Sequence, residues 1–176
     1  MRRLILLIVV FTFAAAPAAA QPLKLDFPGL AERATEVVDV TLDAQMLRLA
    51  AKFFSGGAGS EERAVRDIVQ RLEGIYVRSY QFDHAGAYDR RIVENVRRQL
   101  GPTWKRIVNV SSRNRENVEV FTDVRGDAII GLVVIAAEPR ELTIVNIVGP
   151  IDIERLARLE GQFGVPHIRI EVKEKR

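Results

Sequence analysis

The sequence predicts an α+β fold, a two-layer sandwich whose helices pack on one face of a mainly antiparallel sheet. Two observations carry this prediction. Residues 43–100 hold three helical patterns and one strand pattern, and residues 105–148 hold four β-rich runs in close succession. Turns of three to five residues join these four runs, and connections this short permit only antiparallel hairpins. We therefore expect one domain over residues 21–176, built around a four-strand meander with extra strands beside it.

The first half is expected to alternate strands and helices. The β-branched run 35–42 predicts a strand, and Asp43 is placed to cap a helix that runs to Phe54. That helix is apolar on nearly all sides, which predicts burial on more than one side. The other elements predicted in this half are a short helix over 28–34, a helix over 60–72, a strand over 75–82 and a helix over 88–100.

The second half is expected to be mostly strand. Its four strand patterns are 105–112, 118–124, 128–136 and 141–148. The run 128–136 lacks polar side chains on both faces, which places it at the centre of the sheet. After a turn at Gly149 and Pro150 we expect a helix over 152–162 and a closing strand over 168–173. The charged residues that alternate along this last strand suit an edge or a solvated face.

The first twenty residues predict a cleavable secretory signal peptide. Arg2 and Arg3 precede a short apolar run, and a small-residue stretch closes on Ala20. The apolar run is shorter than the roughly 20 residues that a membrane-spanning helix needs. The chain has no cysteine, so it has no site for lipid attachment and no disulfides. The sequence thus predicts an exported protein, periplasmic or extracellular, not lipidated, and without a transmembrane segment after cleavage.

Charge and composition argue against several classes of partner and cofactor. The formal charge of +3 includes Arg2 and Arg3, so cleavage leaves +1, and a near-neutral surface gives no electrostatic reason to expect nucleic acid. Neither His84 nor His167 has a second histidine or a cysteine at ligand spacing, so no metal site is expected. No cofactor is predicted, because the glycine-rich run 56–60 lacks the lysine of a phosphate-binding loop.

Two groups of side chains are weak candidates for binding. Tyr76, Tyr80 and Phe82 alternate along one predicted strand, where they either line a groove or pack in the core. Arg91 and Arg98 lie on one side of the predicted helix over 88–100, where they either form a solvated face or contact an acidic partner or anionic lipid. The carboxylates available to an enzyme are scattered, and spacing pairs none of them: Asp83, Asp123 and Asp127. No catalytic residue is assigned.

The stretch from Leu142 to Leu156 (LTIVNIVGPIDIERL) resembles a bacterial family catalogued as domain of unknown function 4252, and the run Ile130–Val134 is similar to it as well. The pattern of that family is a secreted or lipidated precursor. Its C-terminal half reads strand, Asn-Ile-x-Gly, acidic helix start and leucine-rich helix. The resemblance covers most of the chain after the signal peptide. This chain departs from the family in lacking the lipobox cysteine, and the resemblance brings no catalytic residues to transfer.

These observations favour a non-catalytic envelope module that binds a protein or another envelope component. The alternative is a carrier of a small apolar ligand or lipid, held in a pocket between the sheet and the helices. The aromatic alternation over 76–82 and the apolar helix over 43–54 motivate this alternative. An enzyme is the least favoured hypothesis, and the sequence leaves the oligomeric state open.

Overall fold

The computed structural model describes residues 22–53, 60–112 and 117–152. The predicted signal peptide, the helix expected over 152–162 and the closing strand expected over 168–173 lie outside these residues, except for Asp152.

Within these ranges, six antiparallel strands form one sheet, in the order β1-β2-β6-β5-β4-β3. The strands are Glu36–Asp43 (β1), Gly74–Gln81 (β2), Trp104–Ser111 (β3), Asn117–Arg125 (β4), Ala128–Ala137 (β5) and Glu141–Ile151 (β6). The last four follow one another as neighbours, which confirms the predicted meander. β5 and β6 are the central strands, as the absence of polar side chains over 128–136 predicted.

The described part of the chain also contains three α-helices, Ala44–Phe53 (α1), Ser60–Val69 (α2) and Arg91–Gln99 (α3), and a 3-10 helix over Ala31–Arg33. Asp43 caps α1 as predicted, because its Oδ1 accepts a hydrogen bond of 2.8 Å from the Met46 backbone N–H. α3 starts later than the predicted Tyr88. The Tyr88 hydroxyl donates a 2.6 Å hydrogen bond to the Glu138 carbonyl, which ties this residue to the end of β5 instead.

The main core lies between one face of the sheet, α3 and the N-terminal segment 22–34. Val96 of α3 and Leu30 are fully buried against Leu142 and Ile144 of β6. The N-terminal segment is held in place by Asn146, whose Oδ1 accepts a 3.0 Å hydrogen bond from the Leu23 N–H. The predicted α+β architecture, with helices packed on a mainly antiparallel sheet, is confirmed.

The helices are divided between the two faces of the sheet, which differs from the expectation that they share one face. Leu47 of α1 and Leu72 after α2 pack with Ile75, Ile147 and Leu132 on the face opposite the main core. The reason is local: α1 begins at the residue after β1 ends, so the chain folds back over this end of the sheet. Each face therefore has its own apolar cluster.

Candidate functional site

Six valines form a straight row across all six strands on the face of the sheet opposite the main core. The register pairs each valine with the next one: Val40 with Val77, Val77 with Val145, Val145 with Val134, Val134 with Val120, and Val120 with Val108. All six side chains are half-buried. We call the surface made by this row and the row beside it the valine face.

The second row of the valine face is also free of charge. It consists of Val38, Ser79, Thr143, Ala136, Val118 and Val110. None of the twelve positions in the two rows carries a charged side chain, although 28% of the residues in the chain are charged. A sheet face that contacts water usually alternates with polar residues, so this surface has the composition of a face that another layer covers.

The surroundings of the valine face resemble the rim of an interface. At one end lie α1 and α2 with their apolar cluster, and Met46 and Leu49 of α1 are each 48% exposed. At the other end, pairing places Glu36, Gln81 and Glu141 side by side. An apolar centre with a polar margin is typical of protein-binding surfaces.

A separate cleft of about 680 Å³ lies on the opposite face, between α3, the loop before it and the ends of β3 and β4. At its floor is Glu119, whose side chain is only 5% exposed. Glu119 Oε2 accepts a hydrogen bond of 2.6 Å from Nε of Arg97 and forms an ion pair with Nη2 of the same residue, also at 2.6 Å. Glu119 Oε1 accepts a hydrogen bond of 2.7 Å from Nη1 of Arg106. A buried carboxylate is tolerated when it is paired in this way, and here it connects α3 to the sheet.

The structure places two of the three aromatic candidates in the core. Tyr80 and Phe82 are 6% and 3% exposed. Tyr80 contacts Phe27 edge-on at a ring distance of 6.2 Å, and Phe82 stacks on Tyr88 at 5.5 Å. Tyr76 is half-buried and packs against the same cluster. These contacts correspond to the core-packing interpretation of the aromatic alternation.

The two arginine candidates lie on the exposed side of α3. Arg91 is paired with Asp89 at 2.6 Å, and the hydrogen bonds from Arg91 lower the pKa of the Asp89 carboxyl and raise that of the Arg91 guanidinium. Arg98 donates to the Asn95 side chain one turn earlier. Arg97, which lies between them in sequence, lines the cleft.

The three carboxylates considered for an enzyme differ in their environment. Asp123 is 2% exposed on β4, whereas Asp83 and Asp127 are exposed in turns.

Within the described ranges, no group of three or more potential ligands could hold a metal ion. The same part of the chain contains no helix that is long and apolar enough to cross a membrane. His84 lies in an exposed turn beside Asp83, and His167 is outside the described residues.

Sequence reasoning missed Glu119 and the valine row. Glu119 sits in a strand of alternating valines, where a single acidic residue looks like a solvated position. The valines themselves are visible as an alternating pattern in several strands, but only the strand register shows that they meet in one row. An acidic residue within a strand, together with the arginine-rich pattern of the helix before it, is the signal that could have identified the pairing of Glu119 with Arg97.

The family model described as domain of unknown function (DUF4252) matches residues 32–159. This range contains α1 to α3 and all six strands, so the match covers both the valine face and the cleft. None of the curated proteins and none of the solved structures matches the chain.

Proposed function

The chain belongs to the family described as domain of unknown function (DUF4252), and we propose that it is an exported, non-catalytic protein-interaction module of the cell envelope. The valine face is its binding surface. The partner is an envelope protein that presents a complementary flat apolar surface, since twelve uncharged positions offer no ionic recognition.

The observation that carries this proposal is the in-register valine row. Val38 and Val110, at the two ends of the second row, are 41% and 48% exposed. Covering such side chains contributes about 25 cal/mol per Å² of apolar surface removed from water. A partner thus gains binding energy from a surface that costs little to desolvate, because it has few polar groups to leave unpaired.

The packing favours this function over a carrier of a small apolar ligand. The space between α3 and the sheet is filled by fully buried side chains, among them Leu30, Val96 and Leu142. The lining of the cleft beside it includes Val93 and Ala137 but also arginine, glutamate and asparagine side chains, and an apolar ligand would shield these polar groups from water without offering them hydrogen bonds.

Export is supported by the charged start, short apolar centre and small-residue end of residues 1–20. Intact-mass measurement and N-terminal sequencing of protein recovered from the cell envelope or medium test this part of the proposal. We expect a chain that begins at Gln21. A full-length chain confined to the cytoplasm would contradict it.

Capture from envelope extracts tests the binding surface. The variant that combines Val77→Thr, Val134→Thr and Val145→Thr keeps β-branched side chains of nearly the same shape but places hydroxyls at the centre of the face. We expect at least about a tenfold loss of captured partner, because each hydroxyl buried without a hydrogen bond costs about 1–3 kcal/mol.

A matched control separates loss of the surface from loss of the fold. Val37→Thr combined with Ile107→Thr changes two exposed apolar residues, 43% and 55% exposed, that lie outside the two rows. This control should capture the partner as the wild type does. Equal capture by the triple variant and the wild type would contradict the proposal. Capture of a second copy, or protection of the face by residues 153–176, would identify a different occupant.

A further inference from the structure

We propose that the cleft between α3 and the β3–β4 hairpin binds a small zwitterionic molecule whose carboxylate is held by Arg97 and Arg106. An amino acid or short peptide is the class of ligand that fits. This site lies on the opposite face of the sheet from the valine face, so it is a second binding site and does not depend on the first.

The buried carboxylate of Glu119 prepares two arginines for a ligand. Glu119 engages Nε and Nη2 of Arg97 and Nη1 of Arg106. A guanidinium has five N–H donors in a rigid plane, so each arginine keeps donors that Glu119 does not use. The two side chains are 44% and 49% exposed. They are therefore held in position at one end while remaining accessible from the cleft.

One carboxylate shared by two arginines leaves a formal charge of +1 at the floor of the cleft. Arginine recognises carboxylates through paired, charge-assisted hydrogen bonds, which are about twice as strong as neutral ones. Since Glu119 already orients both guanidiniums, a ligand carboxylate loses less free energy in ordering them. For this reason we place the carboxylate of the ligand next to the guanidinium groups of Arg97 and Arg106.

The rest of the cleft suits a ligand that also carries a positive charge. Its lining includes three arginines, Arg90, Arg97 and Arg106, and three glutamates, Glu94, Glu119 and Glu138. A ligand with a single negative charge would meet Glu94 on the exposed side of α3. An ammonium group, in contrast, would be attracted there, so the balanced lining favours a zwitterion over a simple anion.

Polar side chains from the strands complete the site. Asn109, Ser111 and Asn117 line the cleft at the β3–β4 end, and the Ser111 hydroxyl donates a 2.9 Å hydrogen bond to Asn117 Oδ1. These groups offer the donors and acceptors that a peptide backbone needs. The volume of about 680 Å³ lies within the range of about 300–1,000 Å³ that is usual for small-ligand sites.

Titration of the protein lacking residues 1–20 with three related probes tests the site. The probes are alanyl-alanine, its C-terminal amide, which lacks the carboxylate, and its N-acetyl form, which lacks the ammonium. Isothermal titration calorimetry gives the affinities, and amide chemical shifts locate the binding. We expect alanyl-alanine to bind most tightly, the N-acetyl form more weakly, and the amide at least about ten times more weakly, since it loses the charged hydrogen bonds.

Substitutions then identify the residues that bind alanyl-alanine. Arg106→Gln should weaken alanyl-alanine binding at least about tenfold while Arg97 still pairs with Glu119, so the fold is retained. The matched control is Lys105→Gln, which removes the neighbouring charge on the other face of β3 and should bind as the wild type does. Absence of binding at 10 mM probe would overturn the proposal, as would equal affinity for the acid and the amide, or equal effects of Arg106→Gln and Lys105→Gln.

Discussion

Gly149 allows β6 to continue past the point where the sequence predicted a turn. Its φ of +122° is a conformation that other residues rarely adopt, and a Cβ atom there would lie 2.8 Å from the Glu73 backbone nitrogen. The Glu73 N–H donates a 2.7 Å hydrogen bond to the Val148 carbonyl. The glycine thus permits a close backbone approach and an unusual backbone angle at the same residue.

We expect Gly149→Ala to lower the free energy of unfolding by about 2–4 kcal/mol, since it adds backbone strain and a backbone clash. Urea unfolding of the purified protein measures this. Gly101→Ala is the control, because a Cβ atom at Gly101 would have no heavy atom within 4 Å. A loss of stability that is the same for both variants would show that Gly149 has no special role.

Asn146 connects the N-terminal segment to the centre of the sheet. It is fully buried, accepts from the Leu23 N–H at 3.0 Å and donates to the Leu132 carbonyl at 3.4 Å. Asn146→Leu leaves those backbone groups without their partner, which costs about 1–3 kcal/mol when they stay buried. We expect faster hydrogen exchange at the Leu23 amide and a lower melting temperature.

The side chain of Gln99 makes a similar pair of bonds at the surface and serves as the control. It bonds both the N–H and the carbonyl of Lys24, but water can replace it there. Gln99→Leu should therefore change stability by less than Asn146→Leu does. If the two variants were equally destabilised, burial would not be the reason for the role of Asn146.

At the scale of elements, the sequence predicted every described strand and helix, but not which face of the sheet each helix covers. Strand alternation and turn residues are local signals, so the strands differ from the prediction mainly at their ends. The position of α1 depends on how the chain leaves Asp43, and its apolar residues on several sides suit either face. The valine row was not predicted either, because it depends on the register between strands, which is set by contacts between residues far apart in the sequence.

Tyr88 lies in the segment between β2 and α3, and the burial of its hydroxyl makes the stability of the protein depend on pH. Burial raises the pKa of the Tyr88 and Tyr80 hydroxyls above 10.0. The folded state then holds these protons more tightly than the unfolded state does. The resulting stability is complete below pH 10 and is lost as the pH rises from 10 through the higher pKa of the folded state.

Tyr88→Phe removes one of these protons and should reduce the loss of stability at high pH. Urea unfolding at about pH 9 and about pH 11 compares the two proteins, and we expect the wild type to lose more free energy of unfolding between these values. The variant also lacks the 2.6 Å hydrogen bond to the Glu138 carbonyl, which lowers its stability at both values. Identical losses would contradict the assignment to Tyr88.

At the scale of the whole molecule, the sheet separates two surfaces with different chemistry. One face is covered by α3 and the N-terminal segment and carries the polar cleft beside them. Among the described residues, only α1 and α2 cover the other face, at one end, and the valine face lies next to them. Because the two surfaces share strands but no side chains, variants of one surface should leave binding at the other unchanged.

Photo-crosslinking in cells that export the protein tests whether a partner binds to the valine face. A photoreactive phenylalanine derivative replaces either Val38 or Val37, neighbours on β1 that point to opposite faces and are 41% and 43% exposed. We expect a discrete crosslinked partner from position 38 and none from position 37. Crosslinks of equal yield from both positions, or from position 37 only, would contradict a partner on the valine face.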